Sequence, residues 1–173
     1  QGNNTHPAES GRDHVSGFTK GERMRGVIKE YRDATRMMNM YAYDTAALRE
    51  LKVKFGRVEV MEDFDLTLQL LRLGRPNRVA YNFVWNQRGS GKEGGCSTYR
   101  TPEVQAMAAH RLAALHAPFV KVVTKGSKSS SASWKGMKER VDVDVYWLRA
   151  LDRAPEVYTP VEVVVTSKTR RSQ

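Results

Sequence analysis

Three carboxylates, Glu62, Asp63 and Asp65, stand where a strongly apolar stretch begins and runs through Leu66-Thr67-Leu68-Gln69-Leu70-Leu71 to Gly74. A general base needs that kind of perch, an acid within reach of a substrate and fixed by a buried element behind it. Phe64, Leu68 and Leu71, with Leu70 and Leu73 beside them, recur at helical spacing and define a face that must be buried; Gly74 is placed to close the helix. The same acids suit the unpaired N–H groups and the positive dipole end of a helix start, so capping competes with catalysis as the reason for their presence.

Composition limits what such a base could serve. With 173 residues and 40% hydrophobic content, the chain can bury one real core and has no room for a second full domain. Twenty-nine Lys and Arg against nineteen Asp and Glu give a formal charge of +10, which favours nucleic acid, nucleotide phosphates or an anionic membrane surface as partner. A single cysteine, Cys96, excludes an intramolecular disulfide and fits a reducing compartment. No apolar run reaches the length of a membrane span and the first residues lack the apolar core of a signal peptide, so the expected protein is intracellular and soluble. The chain begins with Gln rather than Met, which suggests a fragment or a processed product.

The elements that must position the acids can be read in order. Residues 1–21, rich in Gly, Asn, Ser and Thr, read as an irregular lead-in to a single domain over 22–166, with a basic tail at 167–173. Residues 22–39 place Val27, Ile28, Tyr31, Thr35 and Met38 on one side of a helix or of a long irregular connection. Met38–Tyr43 reads as a short strand, Asp44–Leu51 as a short helix capped by Asp44 or Thr45, and 52–61 as an extended segment leading into the acidic helix. After the turn at Arg75-Pro76-Asn77, the alternation Val79, Tyr81, Phe83, Trp85 predicts a strand, and 86–97 a glycine-rich loop. Thr101 caps a helix that opens with Pro102, buries Val104, Ala108, Leu112 and Leu115, and ends before Pro118. Strands follow at Phe119–Thr124, Val141–Trp147 and Glu156–Thr166, the first two separated by a basic Ser/Gly-rich loop over 125–138.

Taken together these segments resemble a known family. Glu62-Asp63-Phe64-Asp65 with the leucine-rich run behind it resembles the Glu-Asp helix of GT-A glycosyltransferases, where the acidic pair faces the acceptor. Pro76-Asn77-Arg78-Val79, Gly94-Gly95-Cys96-Ser97-Thr98-Tyr99-Arg100-Thr101, Phe119-Val120-Lys121-Val122-Val123-Thr124-Lys125 and Arg140-Val141-Asp142-Val143-Asp144-Val145 extend the likeness to the TET-associated glycosyltransferases of phages, over residues 24–150. The resemblance implies a mixed α/β, GT-A-like fold, a nucleotide-sugar donor, hydroxymethylated pyrimidines in DNA as acceptor, a divalent metal (Mn or Mg) and a place in the cytoplasm of a phage-infected host. One departure stands out: upstream of Glu62 there is neither a nucleotide-binding half nor an Asp-x-Asp metal motif, so the chain looks like the acceptor-side C-terminal half.

On that resemblance Asp63 is the expected base, Glu62 its rival, and Asp65 a cap or an Arg partner on a different helical face. The leaving diphosphate needs positive charge, for which Arg88, Lys92 and Arg100 in or beside the glycine-rich loop are candidates, with solvated loop charge as the alternative. Asp142 and Asp144 share a strand face, but Arg140 on that face offers a simple ion pair in place of a metal. His110 and His116 read as surface or packing residues and Cys96 as loop packing. For DNA, Lys121, Lys125, Lys128, Lys135 and Lys138 surround Trp134, and the tail adds Lys168, Arg170 and Arg171. A basic nucleic-acid-binding module without catalysis is therefore the competing function.

Overall fold

Side-chain pattern and capping chemistry set the elements, and the partners they find set the rest. The computed structural model describes residues 15–20, 30–37, 40–85, 99–126, 137–153, 158 and 160. Along these the chain forms β1 (Val15–Lys20), β2 (Tyr31–Asp33), β3 (Met40–Ala42), α1 (Thr45–Glu50), α2 (Glu62–Arg72), β4 (Asn77–Trp85), α3 (Pro102–Leu115), β5 (Val120–Gly126), β6 (Glu139–Val145) and α4 (Trp147–Asp152). The described part is a small mixed α/β domain. One sheet has the order β2-β4-β1-β3 and the other is the β5-β6 pair. In the first, β1 runs parallel to β4, while β2–β4 and β1–β3 are antiparallel; β5 and β6 are antiparallel throughout.

The capping chemistry works where the sequence offers it. Asp44 accepts from the backbone N–H groups of Ala46 at 2.8 Å and Ala47 at 3.2 Å to start α1, and Thr101 accepts from Val104 N–H at 3.2 Å to start α3. The acidic helix α2 is different. No side chain caps it: the chain enters through Met61, whose φ of 67° lies in the left-handed region, and the Met61 carbonyl accepts from the N–H groups of Phe64 and Asp65 at 3.0 and 3.1 Å. It closes as expected, with Gly74 at φ 74°.

α2 is buried on two flanks rather than along one stripe. Phe64, Leu68 and Leu71 enter a core with Val58, Val60, Ala108, Leu112, Phe119 and Val143. Leu66 and Leu70 enter a second core with Met37, Leu48, Val53 and Val79. Each such side chain contributes on the order of 1.5–3 kcal/mol of transfer free energy, so α2 is the element least able to shift, and its first turn is fixed accordingly.

Four readings of the sequence need correction. Val15–Lys20, expected within an irregular lead-in, is a strand lying between β3 and β4, held there by backbone pairing to both. Tyr31–Asp33, in the stretch read as a helix or a long irregular connection, is a strand bonded to β4. Residues 53–60 are an irregular loop rather than an extended segment, with left-handed residues at Lys52, Gly56 and Met61 bending the chain. Trp147 opens α4 instead of ending a strand. Residues 22–29, the glycine-rich loop 86–97 with Cys96, most of 125–138, most of 156–166 and the basic tail lie outside the described residues. Among the described residues no helix is long and apolar enough to cross a membrane.

Candidate functional site

Asp63 and Glu62, at the first turn of α2, line an open concavity of about 210 Å³ together with Tyr41, Tyr43, Lys54, Phe55, Gly56, Asp65 and Leu66. Three segments converge there. β3 and the residue after it supply Tyr41 and Tyr43, which share a face because strand side chains alternate; their rings stack with centroids 5.9 Å apart and planes 28° from parallel. The 53–60 loop supplies Lys54, Phe55 and Gly56, and α2 supplies the acids. Glu62 is exposed.

The carboxylate of Asp63 retains only 13% of its exposure. Arg36 Nε and Nη2 donate to its Oδ2, both at 3.4 Å. Burial pushes the acid above its ordinary range; Arg36 opposes the rise and the neighbouring Glu62 adds to it. Arg36 is itself held from behind. Its guanidinium sits 4.2 Å over the Phe64 ring, and the chain just before it is pinned by the buried Asn77, whose Nδ2 donates to Thr35 O at 2.6 Å and whose Oδ1 accepts from Thr35 N–H at 3.2 Å.

Two residues further on, Asp65 has a contrasting setting. It is almost wholly buried against a fully buried His116. Arg57 Nε donates to Oδ2 at 3.0 Å and Arg57 Nη2 donates to Oδ1; Gln69 Nε2 donates to Oδ2 at 3.1 Å. His116 Nε2 lies 2.7 Å from Oδ1 and 3.0 Å from Arg57 Nη2. Because the ionised Asp65 carboxylate only accepts and the Arg72 guanidinium only donates, we assign the Nε2–H tautomer, donating to Asp65, with Nδ1 turned to Arg72 Nη1 at 3.5 Å. Burial, aided by the flanking guanidinium groups, outweighs the opposing pull of Asp65 and holds His116 below its ordinary value and hence neutral. Burial alone would raise Asp65, but the His116 and Arg57 hydrogen bonds outweigh it and keep the acid below the usual carboxylate range. Tyr158 completes the cluster, accepting from Arg57 Nη2 at 3.4 Å and lying under the Arg72 guanidinium, 3.8 Å from its ring centre.

Gln69 links this interior to the rim. Its Nε2 donates to Lys54 O at 2.8 Å and its Oε1 accepts from Lys54 N–H at 2.9 Å. The loop that presents Phe55 and Gly56 is thus tied to α2 on both sides, by Gln69 to Lys54 and by Asp65 to Arg57.

Two of the other expected site residues, Arg100 and Lys125, are among the described residues. Arg100 is half-buried just before α3, its Nε lacking a hydrogen-bond partner among the described residues, and it is not part of the concavity wall. Arg88, Lys92, Lys128, Trp134 and Lys135 lie outside the described residues. Lys125 is bound to β6, its Nζ donating to Val143 O at 2.8 Å and pairing with Asp144 at 2.9 Å. Arg140 pairs with Asp142 at 3.0 Å, as its place on that strand face suggested. No group of three or more His, Cys, Asp or Glu side chains placed to hold a metal occurs among the described residues. His116, read as a surface or packing residue, is fully buried and is a hydrogen-bonded partner of Asp65. It continues the four-residue spacing of Val104, Ala108 and Leu112, which was a signal for burial. Tyr41 and Tyr43 carried a similar signal in their alternate positions, whereas nothing in the sequence pointed to Arg36, Phe55 or Arg57. Comparison with protein-family models, with curated proteins and with solved structures gave no match to this chain.

Proposed function

We propose that this chain is the acceptor side of a GT-A-type glycosyltransferase that moves a sugar from a nucleotide sugar to hydroxymethylated pyrimidines in DNA, with Asp63 as general base. The observation that carries the reading is a desolvated carboxylate, its affinity for a proton raised, at the wall of an aromatic-lined concavity. In the proposed step the hydroxymethyl oxygen attacks the anomeric carbon and gives its proton to Asp63, while the bond from that carbon to the diphosphate breaks and the leaving group takes the electron pair. A base whose pKa is raised toward the working pH accepts that proton more effectively. Arg36 orients the carboxylate and keeps enough of it ionised to act. Glu62, exposed at the same rim, is the second candidate. The net charge of +10 supports a polyanionic acceptor.

Three of the described carboxylates are engaged by other side chains rather than open to the divalent ion that the family resemblance implies. Asp65 is filled by Arg57, His116 and Gln69, Asp142 by Arg140, and Asp144 by Lys125. On this chain the proton step belongs to Asp63 and the leaving diphosphate remains to be met by Arg88, Lys92 or Arg100.

The test is transfer itself. The protein is incubated with hydroxymethylated DNA, a panel of nucleotide sugars and Mn²⁺ or Mg²⁺, and the digested nucleosides are weighed by mass spectrometry. Glycosylated base is expected, and Asp63→Asn lowers the rate about 10²- to 10⁴-fold. Transfer undiminished in Asp63→Asn removes Asp63 from the mechanism. Salt-dependent DNA binding without transfer favours the non-catalytic binding module instead.

A further inference from the structure

The concavity wall carries three carboxylates, Glu62, Asp63 and Asp65, against one cation, Lys54, and offers the aromatic side chains of Tyr41, Tyr43 and Phe55, a lining that suits a base better than a phosphate. Its volume of about 210 Å³ lies below the roughly 300 Å³ at which sites for drug-sized ligands begin, a size that suits one ring. Phe55 is 65% exposed and Tyr41 37% exposed. Beside Phe55, Gly56 leaves open space where a side chain would stand. The strongly basic chain draws a polyanion to the surface, yet the phosphates must remain outside this recess.

We infer that the recess takes one unpaired pyrimidine base of a nucleic-acid strand, stacked against Phe55 and Tyr41, with its polar substituents turned to Asp63 and its phosphates held outside on the basic surface. Stacking on exposed aromatics is the sequence-tolerant way to hold such a base. A recessed carboxylate cannot reach a base inside an intact duplex, which must surrender it from the stack. This inference names how the acceptor of the proposed reaction is presented and rests on that reading for the role of Asp63, although the stacking itself does not require transfer.

Fluorescence anisotropy with a labelled hydroxymethylated oligonucleotide, in fixed salt and without nucleotide sugar, tests it. The single strand, and a duplex with a mismatch at the modified base, are expected to bind at least about 5-fold more tightly than the matched duplex. Phe55→Ala should weaken the single strand by about 5- to 150-fold, the range for losing one stacked base, with the matched duplex unaffected and Phe55→Trp restoring affinity. Equal affinity for single strand and matched duplex, or an unchanged Phe55→Ala, overturns the inference. Transfer can fail while this pattern holds, which would retire the glycosyltransferase reading alone. Transfer to matched duplex that is indifferent to Phe55→Ala would retire the stacking alone.

Discussion

Asp63 and Asp65 lie two positions apart on the same helix turn and have opposite fates. Asp65 points into a setting that supplies four hydrogen-bond donors from Arg57, His116 and Gln69, and its proton affinity falls. Asp63 has one partly exposed cation at 3.4 Å, and its proton affinity rises. The difference shows that burial alone does not decide which way an acid's proton affinity moves. What decides is whether the surrounding donors compensate for lost water, and at the rim they fall short.

The largest effect that separates the two comes from removing the interior acid. Asp65→Leu leaves the Arg57 guanidinium buried without its counter-charge, and a loss of about 3–5 kcal/mol in urea unfolding is expected. A loss no larger than that of an Asp63 substitution would erase the contrast.

Next in size is His116. Folded His116 is held neutral, so below its ordinary value of 6.5 the unfolded chain takes up a proton that the folded chain refuses. Stability therefore declines as pH falls below about 6.5. Asp65 works in a lower window: its folded pKa is depressed, so its contribution is complete above the ordinary 3.8 and is lost as pH falls through the folded value. His116→Gln is expected to cost about 1–3 kcal/mol at neutral pH through a weakened bond to Asp65, and to flatten the upper part of the pH profile while leaving the acid limb. An unaltered slope between pH 6.5 and 5 would show that His116 is not the titrating group.

These two residues also mark where the sequence was legible. α3 could be read because Thr101 and Pro102 are local start signals and its apolar positions repeat at helical intervals. The same held for α1 with Asp44, and for the span of α2. β1 could not be read, because Ser16 and Gly17 interrupt the strand-favouring Val15, Phe18 and Thr19, and the segment is selected by β3 and β4 on either side. The 53–60 loop looked extended because Val53, Val58 and Val60 favour strands. It bends because Lys52 and Met61 adopt left-handed backbone that no residue type announces. The acids at the start of α2 were legible because they form a local pattern at a helix start. The Asp65–His116 contact spans 51 positions, and the choice between a neighbouring pair of acids was made by groups that no short window contains.

A smaller effect is expected at Arg36, whose side chain is 46% exposed. Arg36→Met changes stability by less than about 1 kcal/mol, since an ion pair this open is screened by water. Its influence on chemistry is larger. Arg36 lowers the pKa of Asp63, so its removal lets that pKa rise further and moves the acidic limb of the transfer-rate profile to higher pH. A limb that stays in place assigns the essential ionisation to another group, with Glu62 the nearest.

The smallest change in stability, and one of unusual sign, belongs to Asp63→Asn. Because the folded pKa lies above the ordinary 3.8, the unfolded chain releases its proton first as pH rises. Ionised Asp63 therefore weighs against folding once the pH exceeds the folded pKa, and that penalty vanishes below 3.8. Asparagine never ionises and avoids it. The variant is expected to be as stable as the parent below pH 3.8 and slightly more stable at neutral pH, by less than about 1 kcal/mol, in paired urea titrations. An acid whose charge opposes folding is what the proposed role of Asp63 as a base would require. Destabilisation by Asp63→Asn at neutral pH would instead make Asp63 a second Asp65, and the distinction between rim and interior would fail.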